Sequence, residues 1–184
     1  GGTFFARTLD VDVPTTVNCM VAAEQHKGCS IIECLVNCVI FNNGTHAWIA
    51  DREQRAEHSI ILKHGEKMIF GKNNDKGLAV EIDPVTFVPK MIVVPAGDPR
   101  VLTHDATQPD PTLHRLLSLM GQNLVTDVNT QPTEDSLPIA LGVIRSVEAE
   151  TYDEAVNKQI ADVREHAKAH NFDELTATLD SWQV

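Results

Sequence analysis

Apolar and polar positions alternate in short blocks along the first part of the chain, and their order is informative. Gly2 to Thr8 reads as a short strand or extended entry, and Pro14-Thr15-Thr16 then opens a helix with Val17, Met20 and Val21 on one face. Gly28 stops that helix, and the β-branched run from Cys29 to Val36 follows as a strand. Strand, crossover helix and strand in that order predict a βαβ unit of a parallel sheet, with ligands expected outside the carboxyl ends of its strands. Asn37 to Trp48 is the loop in that position.

The texture changes after Asp51. DREQRAEHSIILKHG reads as a polar turn of helix and then an apolar turn ending at Gly65. Met68-Ile69-Phe70, Leu78 to Ile82 and Phe87 to Val94 are short strands, and Gly71 to Gly77 is a turn or hairpin tip. Asp110 before Pro111 suits the start of a short helix carrying Leu113, Leu116, Leu117 and Met120. The Asn-, Thr-, Gln- and Pro-rich stretch 121–138 predicts an irregular segment, and Ile139 to Val147 a strand. Thr151 with Glu154 is a capping box for a helix expected to bury Tyr152, Val156, Ile160 and Val163. A last amphipathic turn spans Phe172 to Leu179. The pattern predicts an α/β piece over residues 1–50 and a loop-rich α+β appendage over 51–184.

Composition narrows the possible partners. The net charge of −11 argues against nucleic acid and against an anionic membrane surface. Apolar runs such as Met91-Ile92-Val93-Val94 are far shorter than the roughly 20 residues that span a bilayer. No basic and apolar leader opens the chain, so a cytoplasmic location is expected. The spacing of Cys19, Cys29, Cys34 and Cys38 contains no C-x-x-C pair. Alternation along the strand puts Cys29 and Cys34 on opposite faces. Cys19, Cys29 and Cys34 are therefore read as buried small hydrophobes rather than metal ligands.

Cys38 differs because it sits where the strand opens into the loop. It either lines an active site or packs beneath the loop. Asn42 is a candidate for holding oxygen atoms of substrate or cofactor, whereas Asn43-Gly44 is a turn dipeptide. His166 and His170 stand at i,i+4, but H-E-x-x-H is absent and no metal site is assigned. The Gly71 to Gly77 stretch lacks the phosphate-loop pattern, and no G-x-S-x-G elbow occurs. No residue is assigned a catalytic role.

Ser30 to Gly44, with its Asn37-Cys38 and Phe41-Asn42-Asn43-Gly44, resembles the "EIYQNC-x-x-FNDG" segment of the β subunit of 2-oxoacid:ferredoxin oxidoreductases, the 2-oxoglutarate type in particular. GGTFFARTLDVDV, EHSIILKHGEKMIFGKNNDKGL, ALGVIRSVEAETYDEAVNKQI and the ending Asp180 to Val184 are similar to further segments of that family, in the same order. Val36 and Cys34-Leu35 depart from the family pattern, which bears on substrate preference. The family's Gly-Asp-Gly thiamine motif and cluster cysteines are missing here: no G-D-G occurs, and no cysteine precedes Cys19. The chain is thus expected to be the C-terminal half of the subunit, with residues 1–50 ending the thiamine-diphosphate-binding parallel-sheet domain. The resemblance implies CoA-dependent oxidative decarboxylation of a 2-oxoacid, with electrons leaving through an iron–sulfur cluster. Thiamine diphosphate, Mg2+ and a [4Fe-4S] cluster would belong to the intact enzyme, none of them held by this segment alone. Implied partners are the N-terminal half of the same subunit, an α subunit, ferredoxin, the 2-oxoacid and CoA. Cys38 and Asn42 would line one side of the cofactor pocket. The alternatives are a non-catalytic subunit-docking module, or a pyruvate or branched-chain 2-oxoacid oxidoreductase.

Overall fold

The computed structural model describes residues 2–121, 132, 136–166 and 172–173. The opening βαβ unit is present as β1 (Phe4–Leu9), α1 (Val13–Gln25) and β2 (Ser30–Leu35), with β1 and β2 parallel and Phe4 opposite Ser30. The Asp12 carboxylate starts α1 by accepting hydrogen bonds from the Thr15 amide (3.4 Å) and hydroxyl (2.8 Å). Gly28 ends the connection at φ +140°, where an added Cβ would lie 2.5 Å from Thr3 Oγ1. The inward side of α1 is small: Cys19, Ala22 and Ala23 pack on Phe4 and Ala6 of β1. Small residues there let the helix approach the sheet closely.

Among the described residues, three helices and five strands follow: α2 (Ala47–Ala50), α3 (Arg52–His58), β3 (Ser59–Leu62), β4 (Ile69–Phe70), β5 (Lys76–Ile82), β6 (Pro89–Pro95), α4 (Thr112–Leu119) and β7 (Ile139–Ser146). The first sheet has the order β2-β1-β7-β3. β7 runs antiparallel to β1 and parallel to β3. Two parallel pairs therefore meet along an antiparallel seam, which bears out the α/β class. The residue 50/51 boundary drawn from the sequence falls inside this sheet, because β3 and β7 complete it. The apolar turn expected before Gly65 is instead β3. Its Ser59-Ile60-Ile61-Leu62 run pairs residue for residue with Ile139 to Gly142, and that ladder outweighs the helical spacing.

β4, β5 and β6 form a separate antiparallel sheet, with Leu78 opposite Val93. Its Phe70, Leu78 and Met91, with Met68 just before β4, share one core with Ile60 and Leu62 of β3, Leu117 of α4, and Ala140 and Ile144 of β7. The helix starts one residue later than Asp110-Pro111 predicts: Pro111 is its N-cap, with no side-chain cap hydrogen bond, and the Asp110 carboxylate just before it accepts the Thr112 amide at 2.8 Å.

The segment 104–111 is strapped to β7 by polar side chains. Arg145 donates to the carbonyls of Gly2 (3.0 Å), Gln108 (3.1 Å) and Pro109 (3.2 Å), and to His114 Nδ1 (2.9 Å). A guanidinium only donates, so His114 carries its proton on Nε2 and gives it to the Asp105 carbonyl at 2.8 Å. His104 is buried, its Nε2 donates to the Val143 carbonyl (2.9 Å), and its Nδ1 has no partner among the described residues. Burial pushes the His104 pKa below the ordinary histidine value. A proton that the unfolded chain accepts more readily than the folded one makes stability rise with pH. This contribution is complete above roughly pH 6.5 and is lost as pH falls through the folded value. The melting temperature should therefore fall on acidification from about pH 7.5 to about pH 5.5, above the carboxylate range. His104→Gln should flatten that dependence in scanning calorimetry; an equally steep curve would contradict the account.

Residues 150–184 form a second compact unit, and its described helix is α5 (Tyr152–His166). The capping box is present: the Glu154 amide donates to Thr151 Oγ1 (3.3 Å) and the Thr151 amide to Glu154 Oε2 (3.1 Å). Tyr152, Ile160 and Val163, expected to be buried, are exposed. The irregular segment expected at 121–138, the turn at Phe172 to Leu179, His170 and the Asp180 to Val184 ending lie wholly or largely outside the described residues.

Candidate functional site

Leu35, the last residue of β2, is buried, and its carbonyl accepts the Asp10 amide at 3.1 Å. The chain then leaves the sheet as a narrow loop. The Cys38 carbonyl accepts the Asn42 amide (2.9 Å), and the two residues form an isolated antiparallel bridge. Asn37 closes the loop base: its Oδ1 accepts the Gly44 amide (2.9 Å) and its Nδ2 donates to Asn43 Oδ1 (3.3 Å). Gly44 sits at φ +87°, the left-handed conformation that its place after Asn43 predicts. Between the two sides, Val39, Ile40 and Phe41 project into solvent, Phe41 at 90% exposure.

Cys38 is exposed, so it does not pack beneath the loop. The Phe41 amide donates to its sulfur at 3.5 Å. That hydrogen bond, with lesser help from the Ile40 and Asn42 amides, holds the thiol pKa below the usual cysteine value. Amide donors aimed at sulfur favour the thiolate, the nucleophilic form. Asn42 is half-buried, and no hydrogen bond among the described residues uses its side-chain amide. The bridge brings the backbones of the two candidates together and leaves both side chains available. Cys29 and Cys34, expected to be buried, are exposed, while Cys19 is buried. The difference arises because β2 is an edge strand among the described residues.

The return of the loop is anchored firmly. Trp48 and Ile49 of α2 pack with Leu9, Leu35, Ile139 and Leu141 at the ends of three strands. Arg55 donates to the carbonyls of Ile49 (2.8 Å) and Ala50 (2.9 Å), and its Nη1 lies 3.9 Å from the Asp12 carboxylate that caps α1. Arg55 thereby ties the end of the loop to the start of the crossover helix.

Sequence reasoning missed His46. It is 5% exposed, adopts the left-handed conformation at φ 64°, and has no partner for Nδ1 among the described residues. Burial pushes its pKa down, against the opposing pull of Asp10 and Glu33. Arg7, also buried, donates to Glu33 at 2.6 Å and to the Ser118 carbonyl at 2.8 Å. Thr8 and Thr45 hydroxyls are likewise buried without partners among the described residues. Nothing in Gly44-Thr45-His46-Ala47 signals this, because only the tertiary fold decides which loop histidine is buried. Among the described residues, no three His, Cys, Asp or Glu side chains converge as ligands for a metal ion. No described helix is long and apolar enough to cross a membrane.

No family model matches the chain, and no solved structure matches it significantly. It is 31% identical over 191 residues to the 2-oxoglutarate oxidoreductase subunit KorB of Mycobacterium tuberculosis. The alignment covers 99% of this chain and 45% of that protein, so the chain spans about half the length of the relative. The chain is therefore similar, along nearly all of its own length, to about half of a 2-oxoglutarate oxidoreductase subunit, which bears out the resemblance that its sequence segments carry.

Proposed function

We propose that the chain is part of the β subunit of a cytoplasmic 2-oxoglutarate:ferredoxin oxidoreductase, a CoA-dependent enzyme that converts a 2-oxoacid to an acyl-CoA. The observation that carries this reading is the 31% identity to KorB over 99% of the chain. The position of the Asn37–Gly44 loop, at the carboxyl end of a parallel strand pair, supports it, because α/β sheets bind ligands there. In such an enzyme thiamine diphosphate, with Mg2+, supplies the electron sink for decarboxylation, and a [4Fe-4S] cluster relays electrons to ferredoxin. The described residues bring together no donor set for an ion or a cluster, so neither is assigned to them.

The role proposed for these residues is to form one wall of the pocket. Cys38 offers a thiol with stabilised charge, Asn42 offers an uncommitted amide, and the apolar tip at Val39 to Phe41 excludes water when covered. The exposure of that tip also suits a subunit-docking module. Cys38→Ala and Asn42→Ala in the assembled enzyme separate the two readings. A pocket wall predicts that each lowers kcat/KM for 2-oxoglutarate by about tenfold or more, roughly 1.4 kcal/mol of transition-state stabilisation, with assembly intact. Unchanged steady-state rates would favour the module.

A further inference from the structure

Asn43-Gly44 is the only Asn-Gly pair in the chain. In such a pair the glycine backbone nitrogen can attack the side-chain carbonyl carbon of the asparagine. A new N–Cγ bond closes a succinimide ring, and the Cγ–Nδ2 bond breaks. The side-chain nitrogen leaves as ammonia, carrying the proton that the glycine amide gives up. Water then opens the ring at either carbonyl and leaves an aspartyl or an isoaspartyl residue at position 43. These steps need no catalyst and no change of oxidation state. Glycine favours them, because no Cβ hinders the attacking nitrogen.

Asn43 is exposed among the described residues, and a Cβ added at Gly44 would meet nothing within 4 Å. The two are the central residues of a turn, which the Thr45 amide closes on the Asn42 carbonyl at 3.3 Å. One side chain restrains both reacting groups. Asn37 Oδ1 accepts the Gly44 N–H at 2.9 Å, and that proton has to leave before the nitrogen can attack. Asn37 Nδ2 donates to Asn43 Oδ1 at 3.3 Å, which tethers the carbonyl that would be attacked. A hydrogen-bonded amide reacts chiefly through local opening, so the reaction slows by the free energy of breaking that bond.

We propose that Asn43 is a site of spontaneous deamidation in the candidate-site loop, and that Asn37 is the brake on it. The product adds a negative charge next to Asn42, whose backbone bridges to Cys38. A like charge there opposes the thiolate that the Phe41 amide favours. The isoaspartyl product also adds a methylene to the backbone before Gly44, which shifts the amide that Asn37 holds. Asn37 thereby preserves both the charge and the shape of the loop. This chemistry belongs to the loop itself, whatever reaction the loop serves.

Peptide mass spectrometry on the assembled enzyme containing the full-length subunit, aged in mildly alkaline buffer, tests this. The acid gained at position 43 is followed over time, and isoaspartate is read by enzymatic methyl labelling. The parent should deamidate at Asn43 at least about fivefold more slowly when folded than when unfolded in denaturant. Asn37→Ala should speed the reaction by about fivefold or more in the assembled enzyme and leave the unfolded rate unchanged. Asn37→Asp keeps an acceptor for the Gly44 amide and should stay slow; fast reaction of that variant would count against the brake. Equal rates in the folded parent and folded Asn37→Ala would overturn the proposal, since cover by the rest of the assembly would then be what slows the reaction. A folded parent that reacts as fast as the unfolded chain would overturn it too. Where Asn37→Ala fails to assemble, hydrogen exchange in the parent decides: the Gly44 amide should be protected by about fivefold or more, and an unprotected amide would remove the brake. None of these readouts involves turnover of 2-oxoglutarate, so they stand or fall apart from the functional reading.

Discussion

Gly142→Val should destabilise the chain by about 3 kcal/mol or more, the sum of a strained backbone and an overpacked sheet. Gly142 lies in β7 with φ +91°, opposite Arg7 on one side and Leu62 on the other. An added Cβ would stand 2.8 Å from the Leu62 carbonyl oxygen and 3.4 Å from its amide nitrogen. Both atoms are backbone of the neighbouring strand, so relief requires moving β3 rather than rotating a side chain. A β-branched residue is strained further by a positive φ. The pairing beside Gly142 is already irregular, with a register shift between Phe5 and Ala6. Urea unfolding should show a markedly lower midpoint, with Gly142→Ala falling between the variant and the parent. An unchanged midpoint for the valine variant would show that this backbone is not held as described.

The second large effect is expected at Arg145. Arg145→Ala removes four hydrogen bonds at once and leaves the carbonyls of Gly2, Gln108 and Pro109 and His114 Nδ1 without their donor. Water reaches some of these acceptors, so the cost is below the full sum, at about 2–4 kcal/mol. His114 is buried, and its orphaned nitrogen carries much of that cost. Arg145→Lys should recover little, because one ammonium cannot span acceptors that a planar guanidinium reaches from separate nitrogens. Faster amide exchange across 104–111 is the expected signature, together with a lower melting temperature. Full rescue by lysine would mean that charge, not geometry, holds the strap.

The local elements were legible wherever residues near in sequence decide them. Pro14 and Gly28 bracket α1, Thr151 and Glu154 start α5, and the run before Asn37 makes β2. Long-range pairing was not legible. Ile139 to Ser146 reads as a strand, yet nothing near it says that it lies between β1 and β3. The same blindness made Ser59 to Leu62 look like a helical turn. It also made Cys29 and Cys34 look buried, since apolar composition cannot tell an edge strand from a central one. At the candidate site, Cys38 and Asn42 are expected from their place in the loop that follows a strand end, and a backbone bridge joins the two. His46 escaped because its burial depends on Trp48 and Ile49 drawing the loop back onto three strand ends.

The most direct measurement is reduction of ferredoxin or a viologen dye by the assembled enzyme containing this chain in its full-length subunit, supplied with CoA and a panel of 2-oxoacids. Reduction that requires both CoA and 2-oxoglutarate, with kcat/KM for 2-oxoglutarate above those for pyruvate and branched-chain 2-oxoacids, is the predicted result. A preference for pyruvate or a branched-chain acid would contradict the assigned substrate. Absence of CoA-dependent reduction with every 2-oxoacid, by a complex shown to be fully assembled and loaded with cofactors, would contradict the function itself.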